Sequence, residues 1–525
     1  MLVLVYFAVV LVMVNMGNSL ERLELRGDPD TGFYLDVSIG TPPVLLRLLV
    51  DTGSSNLVVA GPTQTTGRKF NPKQSRTFHN ASKKVAIEYS QGKFSGYMGY
   101  DRVLLGSLTL NNVSVAIIET SVNFFSDITD WQGILGIGYD SLLKPSPNGI
   151  QSVYTAIQQE YNISDLFSMK LCPARDVFGD TVVPSGGELI LGGTDDSHHH
   201  GNYMYTPIVK EQFYNVLLSN ISIAGTMLPL ECSELNRDST IVDSGTSDIY
   251  INEVMFDAIV KILKEKCKED PDFNVTDSFW SGNEQLAWRI GNNDLYDMFP
   301  DIILYFPLYN NQSLQFGVKV PPQLYLRQVA PLHYDSFNLP CGDDCDFFVF
   351  GIKSRSTGII LGSDLLTGYD VIYDRKNLRI GFAPTTCELR DNRPSSSQPE
   401  LIGPEMRDTV DCSYSTSSST KPGIYGIVLT TAITLSMVLL ILILLLYIVH
   451  CRHNKRVHHT ESMERLRDDF NDDNHSDQSF VISPTEEAGP PTKQSLAYVE
   501  SKKVKKSTPI AAETRRDTSN SLMVH

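Results

Sequence analysis

Leu48-Leu49-Val50-Asp51-Thr52-Gly53-Ser54-Ser55 and Thr240-Ile241-Val242-Asp243-Ser244-Gly245-Thr246-Ser247 are two copies of one pattern, 192 residues apart. Each is a run of leucine or β-branched residues that ends in Asp, followed by Thr or Ser and then Gly. Such runs favour strands, and the glycine marks a tight turn. A strand entering that turn holds its carboxylate at the end of a buried element, away from water. One Asp-(Thr/Ser)-Gly alone carries little weight, because a chain this long holds one by chance in roughly a quarter of cases. Asp30-Thr31-Gly32 is such an occurrence, set after Pro29 in a charged stretch. Asp51 and Asp243 differ because each copy is followed by an apolar-apolar-glycine segment, Ile134-Leu135-Gly136 and Ile360-Leu361-Gly362. Repetition of the whole arrangement points to two related lobes.

Around these copies the chain reads as an all-β body with few helices. Runs such as Phe33–Ile39, Val44–Val50 and Val371–Phe382 alternate with Gly/Pro/Asn turns. Ser152–Tyr161 and Glu253–Lys266 carry the best helical spacing. The expected organisation is a body over 31–390, with an N-lobe over about 31–205 and a C-lobe over about 206–390. A short pro-like segment over 20–30 precedes it. Residues 391–423 gain Ser, Pro and Thr and read as a stalk, and 450–525 as a disordered tail.

Two apolar segments set the compartment. Leu2–Val14 is too short to span a bilayer and reads as the core of a signal peptide over 1–19. Ile424–Val449 is 26 residues without a charge, followed by Arg452, Lys455 and Arg456. That is a transmembrane helix with its C-terminal side in the cytosol, hence a single-pass type I membrane protein. Its body would face the lumen of Golgi or endosome, or the cell exterior. Six glycosylation sequons, at Asn80, Asn112, Asn162, Asn220, Asn274 and Asn311, and seven of the eight cysteines precede the span.

Composition excludes several classes. The net charge is −17, and the tail over 450–525 is neutral, so the whole deficit lies on residues 1–449. An acidic body repels phosphate backbones, which makes nucleic acid a poor partner. GxxxxGK, HExxH and CxxC are absent from the sequence. His198-His199-His200 reads as an exposed loop run, and Asp343, Asp344 and Asp346 lack the glycine and terminal glutamate of a calcium loop. No metal and no cofactor are expected.

The paired carboxylates carry a chemistry of their own. Two carboxylates about 3 Å apart cannot both ionise, so they share one proton. The ionised one takes a proton from water as general base, and the protonated one polarises a peptide carbonyl. The hydroxyls of Ser54 and Thr246 are placed to hydrogen-bond the pair. A catalytically silent binding protein on the same fold is the competing class, and the intact pair argues against it.

These motifs resemble the pepsin-type aspartic proteases over about 31–390, closest to their membrane-anchored beta-secretase branch. Glu88-Tyr89-Ser90-Gln91-Gly92-Lys93-Phe94-Ser95-Gly96 resembles that branch's flap hairpin, and Phe124-Phe125 with Asp130-Trp131-Gln132-Gly133 resembles its S1 wall. The resemblance implies a bilobal fold and cleavage of extended peptides, with membrane proteins as the substrates nearest the tether. Asp51 and Asp243 would be catalytic. Tyr89, Ser90 and Gln91 would close over the substrate, Phe124 and Trp131 would line an apolar pocket, and Gly53, Gly245 and Ser247 would contact the substrate. Cys172 would pair with Cys387, Cys232 with Cys412, and Cys267 with Cys345 or Cys341. The departures are specific. Val58 and Phe94 stand where relatives carry Trp, and Tyr250 stands where beta-secretase carries a basic residue. A taste for acidic groups in that pocket is therefore not expected.

Overall fold

A computed structural model describes residues 21–89, 92–125, 129–145, 150–173, 186–268, 273, 275–289, 295–329, 345–389 and 397–407. The expected signal peptide, span and cytoplasmic tail lie outside these residues. No helix among the described residues is long and apolar enough to cross a membrane.

Alternation of apolar residues with polar ones builds strands wherever the chain can bury one face. Thirteen of them join in one sheet. Six of its strands come from both halves of the chain and lie side by side, in the order Met204–Pro207, Arg379–Pro384, Tyr369–Asp374, Phe167–Cys172, Gly186–Leu191, Glu21–Arg26. Two strands of the structure lie outside the body expected over 31–390. Glu21–Arg26, expected as a pro-like segment, pairs residue for residue with Gly186–Leu191. Leu401–Met406, expected within the stalk, pairs with Asn311–Val320 at the edge of a C-lobe sheet. Glu21–Arg26 carries Leu23 and Leu25 at alternate positions, a strand signal that its charged neighbours obscured.

Val371–Phe382, expected as one run, is a hairpin of two strands. The polar stretch 374–377 makes the turn: the Asn377 amide and side chain donate to the Asp374 carboxylate at 2.8–3.2 Å, and Leu378 takes φ 51°. The two expected helices form close to their predicted bounds. Ser152 caps Val153–Tyr161 through the Thr155 amide, and Asn252 caps Glu253–Cys267 through the Met255 amide.

Each lobe uses the same knot of strands. In the N-lobe, Val44–Asp51 runs parallel to Gly133–Gly136, which pairs antiparallel with Leu57–Ala60. In the C-lobe, Thr240–Val242 runs parallel to Ile359–Leu361, which pairs antiparallel with Ile249–Asn252. The apolar-apolar-glycine segments are thus the inner strands that brace each Asp-bearing strand. Their glycines permit close approach: a Cβ at Gly136 would sit 2.6 Å from the Ser55 amide nitrogen, and one at Gly362 2.7 Å from the Ser247 carbonyl oxygen.

The Cys172–Cys387 disulfide ties the two halves with a Cα–Cα distance of 5.5 Å. Cys232 and Cys345 are disulfide-bonded as well, while Cys341 and Cys412 lie outside the described residues. The bridge expected at Cys267 does not form: Cys267 is a free thiol, 2% exposed. It is the last residue of the helix Glu253–Cys267 and points into the C-lobe core, where burial pushes its thiol up to about 12. Of the sequons, Asn80, Asn112, Asn162 and Asn311 are exposed and Asn220 is partly buried, its Oδ1 accepting from the Ile221 amide at 2.8 Å. Asn274 lies outside the described residues.

Candidate active site

The two Asp-bearing turns meet at the lobe boundary. Asp51 and Asp243 are each 0% exposed. The Gly53 amide donates to Asp51 Oδ1 at 2.8 Å, and the Gly245 amide donates to Asp243 Oδ1 at 2.9 Å. Ser54 Oγ donates to Asp51 Oδ2, and Thr246 Oγ1 donates to Asp243 Oδ2. Each of these bonds on one carboxylate has its twin on the other. The turns also touch: a Cβ at Gly245 would run into the Asp51 carboxylate.

The residues after the two aspartates lock the turns together. The Thr52 amide donates to Ser244 Oγ at 3.2 Å, and the Ser244 amide donates to Thr52 Oγ1 at 2.9 Å. Thr52 Oγ1 then donates to the Val242 carbonyl at 3.0 Å, and Ser244 Oγ to the Val50 carbonyl at 2.8 Å. Each hydroxyl therefore accepts from one lobe's partner turn and donates into the partner strand. These buried bonds fix the separation of the carboxylates, because a lost partner here leaves a buried polar group unsatisfied.

Tyr89, Phe94, Phe124, Phe125 and Trp131 form one aromatic cluster beside Asp51, with ring centroids 5.4–6.2 Å apart for Phe94–Phe124, Tyr89–Phe124, Phe124–Trp131 and Tyr89–Phe94. The Tyr89 amide donates to the Gly92 carbonyl at 2.8 Å, next to the hairpin strands His79–Glu88 and Lys93–Leu105. Ser90 and Gln91 themselves lie outside the described residues. The Tyr89 hydroxyl faces Ser54 and Asp51 without a hydrogen bond, and burial pushes its pKa well above the usual tyrosine value. Trp131 Nε1 donates to the Thr31 carbonyl at 3.0 Å, so the turn over 28–32 forms a further wall of this pocket. Ser247 is 2% exposed, and its carbonyl accepts from the Asp364 amide at 2.9 Å.

Residues 32–385 match the family described as eukaryotic aspartyl protease. The chain belongs to that family. The protease is 32% identical to a beta-secretase of Strongylocentrotus purpuratus over 431 residues, which is 78% of this chain and 78% of that protein. It is 28% identical to pepsin-2B of Gadus morhua, covering 69% of this chain and 98% of that protein, and 28% identical to pepsin A of Bos taurus, covering 68% and 84%. It is an aspartic endopeptidase with a mostly β, pepsin-like fold.

Several residues around the site carried no sequence signal. Arg327 donates to Asp30 at 2.5 Å, Asp364 at 2.6 Å and Asp248 at 3.1 Å, and Lys353 pairs with Asp248 at 2.9 Å. Asp248 lies five residues after Asp243, and Asp30 lies on the turn against Trp131. One guanidinium therefore joins the pocket turn of the N-lobe to the Asp243 loop of the C-lobe. The histidine run also differs from expectation. His198 is 6% exposed, its Nε2 3.0 Å from Glu188 on the strand Gly186–Leu191. Glu188, Asp195 and His198 lie at metal-ligand spacing, and Arg22 already places its guanidinium against both carboxylates at 2.9 and 2.5 Å.

Proposed function

We propose that Asp51 and Asp243 are the catalytic pair and that the protease, anchored by residues 424–449, cuts the ectodomains of membrane proteins. The reciprocal lock of Thr52 and Ser244 carries the first part. It joins the two turns that bear fully buried carboxylates, and two carboxylates held close together share one proton. A water between them gives its proton to the ionised carboxylate and attacks the peptide carbonyl, whose oxygen takes the proton of the other. The gem-diol collapses as one carboxylate gives its proton to the leaving nitrogen, the C–N bond breaks, and the other carboxylate takes a hydroxyl proton of the gem-diol, which leaves a carboxylic acid and restores the shared proton. Ser54 and Thr246 hold the carboxylates in orientation. The Gly53 and Gly245 amides are committed to those carboxylates, so contacts to the substrate fall to their carbonyl oxygens. Tyr89, with Ser90 and Gln91 next to it in the chain, covers the peptide, and Phe124 and Trp131 give the pocket an apolar wall.

The second part rests on the 26 uncharged residues before Arg452, Lys455 and Arg456, and on the likeness to a beta-secretase. Confinement to one surface raises the effective concentration of a membrane-bound substrate. The test is to cut the chain within 408–423 and compare substrates. Cleavage of a membrane-tethered substrate falls while that of a soluble peptide persists. Equal cleavage of the tethered substrate before and after release contradicts the anchoring role.

A further inference from the structure

The sheet that carries Asp243 has two faces, and its register assigns each side chain to one of them. Val242, Ile249, Ile251, Ile352, Ile359 and Leu361 enter the main core. The intervening residues Ile241, Tyr250 and Ile360 form a separate small cluster with Phe213. Side chains alternate along a strand, so Asp243, two residues after Ile241, shares the face of that small cluster. Ile249–Asn252 runs parallel to Ile352–Arg355 with Tyr250 opposite Lys353 and Asn252 opposite Arg355. Lys353 and Arg355 therefore also belong to the face that bears Asp243.

The two cations have different surroundings. Lys353 is paired with the fully buried Asp248 at 2.9 Å. Arg355 is partly buried and has no hydrogen-bond or ion-pair partner among the described residues. Its guanidinium lies within electrostatic reach of Asp243, Tyr250 and Asp238, and burial works against its charge. A partly desolvated guanidinium without a partner among the described residues, on the face that bears Asp243, is ready to donate to a planar anionic group.

We infer that Arg355 is a specificity-determining residue that receives an acidic side chain of the peptide substrate on the Asp243 side of the cleft. The inference rests on the catalytic reading of Asp51 and Asp243. It also restores, from a neighbouring strand, the positive charge that the tyrosine at position 250 had argued away.

The test is a positional scan of peptides in which each residue flanking the scissile bond is Glu or Gln, cleaved by the full-length chain. At one position kcat/KM for the Glu peptide exceeds that for the Gln peptide by about tenfold or more, the range of a hydrogen bond to a charged group. The ratio shrinks with added salt. It falls to about one in Arg355→Gln, is partly kept in Arg355→Lys and inverts in Arg355→Glu. Cleavage with no Glu preference at any position, or a preference that survives Arg355→Gln, overturns the inference and leaves the catalytic reading standing. The same Glu/Gln pairs on an uncleavable hydroxyethylene peptide, measured by calorimetry, separate the two. Preferred binding of the Glu analogue without cleavage of any peptide upholds Arg355 and refutes the catalytic pair.

Discussion

Replacing Arg327 with Met tests the charge cluster that joins the lobes. In the native chain three carboxylates, Asp30, Asp248 and Asp364, face two cations, Arg327 and Lys353. The fully ionised cluster carries one excess negative charge, and Asp248 and Asp364 are 0% and 3% exposed. Burial pushes Asp364 up to about 7, which makes it ready to take up a proton within the cluster. Its folded pKa exceeds the unfolded value of about 4. Protonation therefore stabilises the fold fully below about pH 4, and that contribution is lost as pH rises through about 7. Without Arg327 only Lys353 remains, and a second carboxylate must be protonated or stay buried and unpaired. Removing one partner from a buried ion pair costs about 3–5 kcal/mol, and the cluster should show this in full near pH 7.5. Near pH 4.5 the carboxylates take up protons readily, and the deficit should shrink by half or more. Denaturant midpoints of wild type and Arg327→Met at the two pH values measure both numbers. Equal destabilisation at both, or a loss under about 1 kcal/mol at pH 7.5, refutes the reasoning.

Three other changes have defined outcomes. Thr246→Ala removes a donor from Asp243, which makes that carboxylate easier to protonate; kcat should fall about tenfold, and the acid limb of the kcat/KM profile should move to higher pH. Tyr89→Phe deletes a hydroxyl that has no hydrogen bond, so melting should show a change under about 0.5 kcal/mol, against about 3–5 kcal/mol for Phe124→Ala. Cys267 should resist alkylation in the native chain and react only on unfolding, as read by peptide mass mapping; labelling at native rates near those of the unfolded chain contradicts its place in the core.

The sequence exposed whatever repeats locally and concealed whatever is assembled across the fold. Asp51, Asp243 and their glycines announce themselves because strand, carboxylate and turn are adjacent in the chain. The lock of Thr52 and Ser244 was present in the same quoted residues, as a hydroxyl after each aspartate, but its reciprocal bonds exist only when the two turns meet. The cluster at Arg327 had no such trace. Its partners lie up to 297 positions away, and Asp30, dismissed as a chance Asp-Thr-Gly, proves to be one of them. Arg355 was invisible for a related reason, since its face is set by pairing with Ile249–Asn252 rather than by its own neighbours. The cysteine reading failed where helix packing decides: the helix Glu253–Cys267 turns Cys267 inward, away from any disulfide.

The central claim is that Asp51 and Asp243 work as one proton-sharing pair. Its most direct test is peptide cleavage by the purified chain from about pH 3.5 to 7.5, beside Asp51→Asn and Asp243→Asn. The account predicts activity on the acid side that either substitution abolishes while the disulfides and fold persist. Activity retained in either variant, or absent at every pH from a folded and disulfide-bonded wild type, contradicts it.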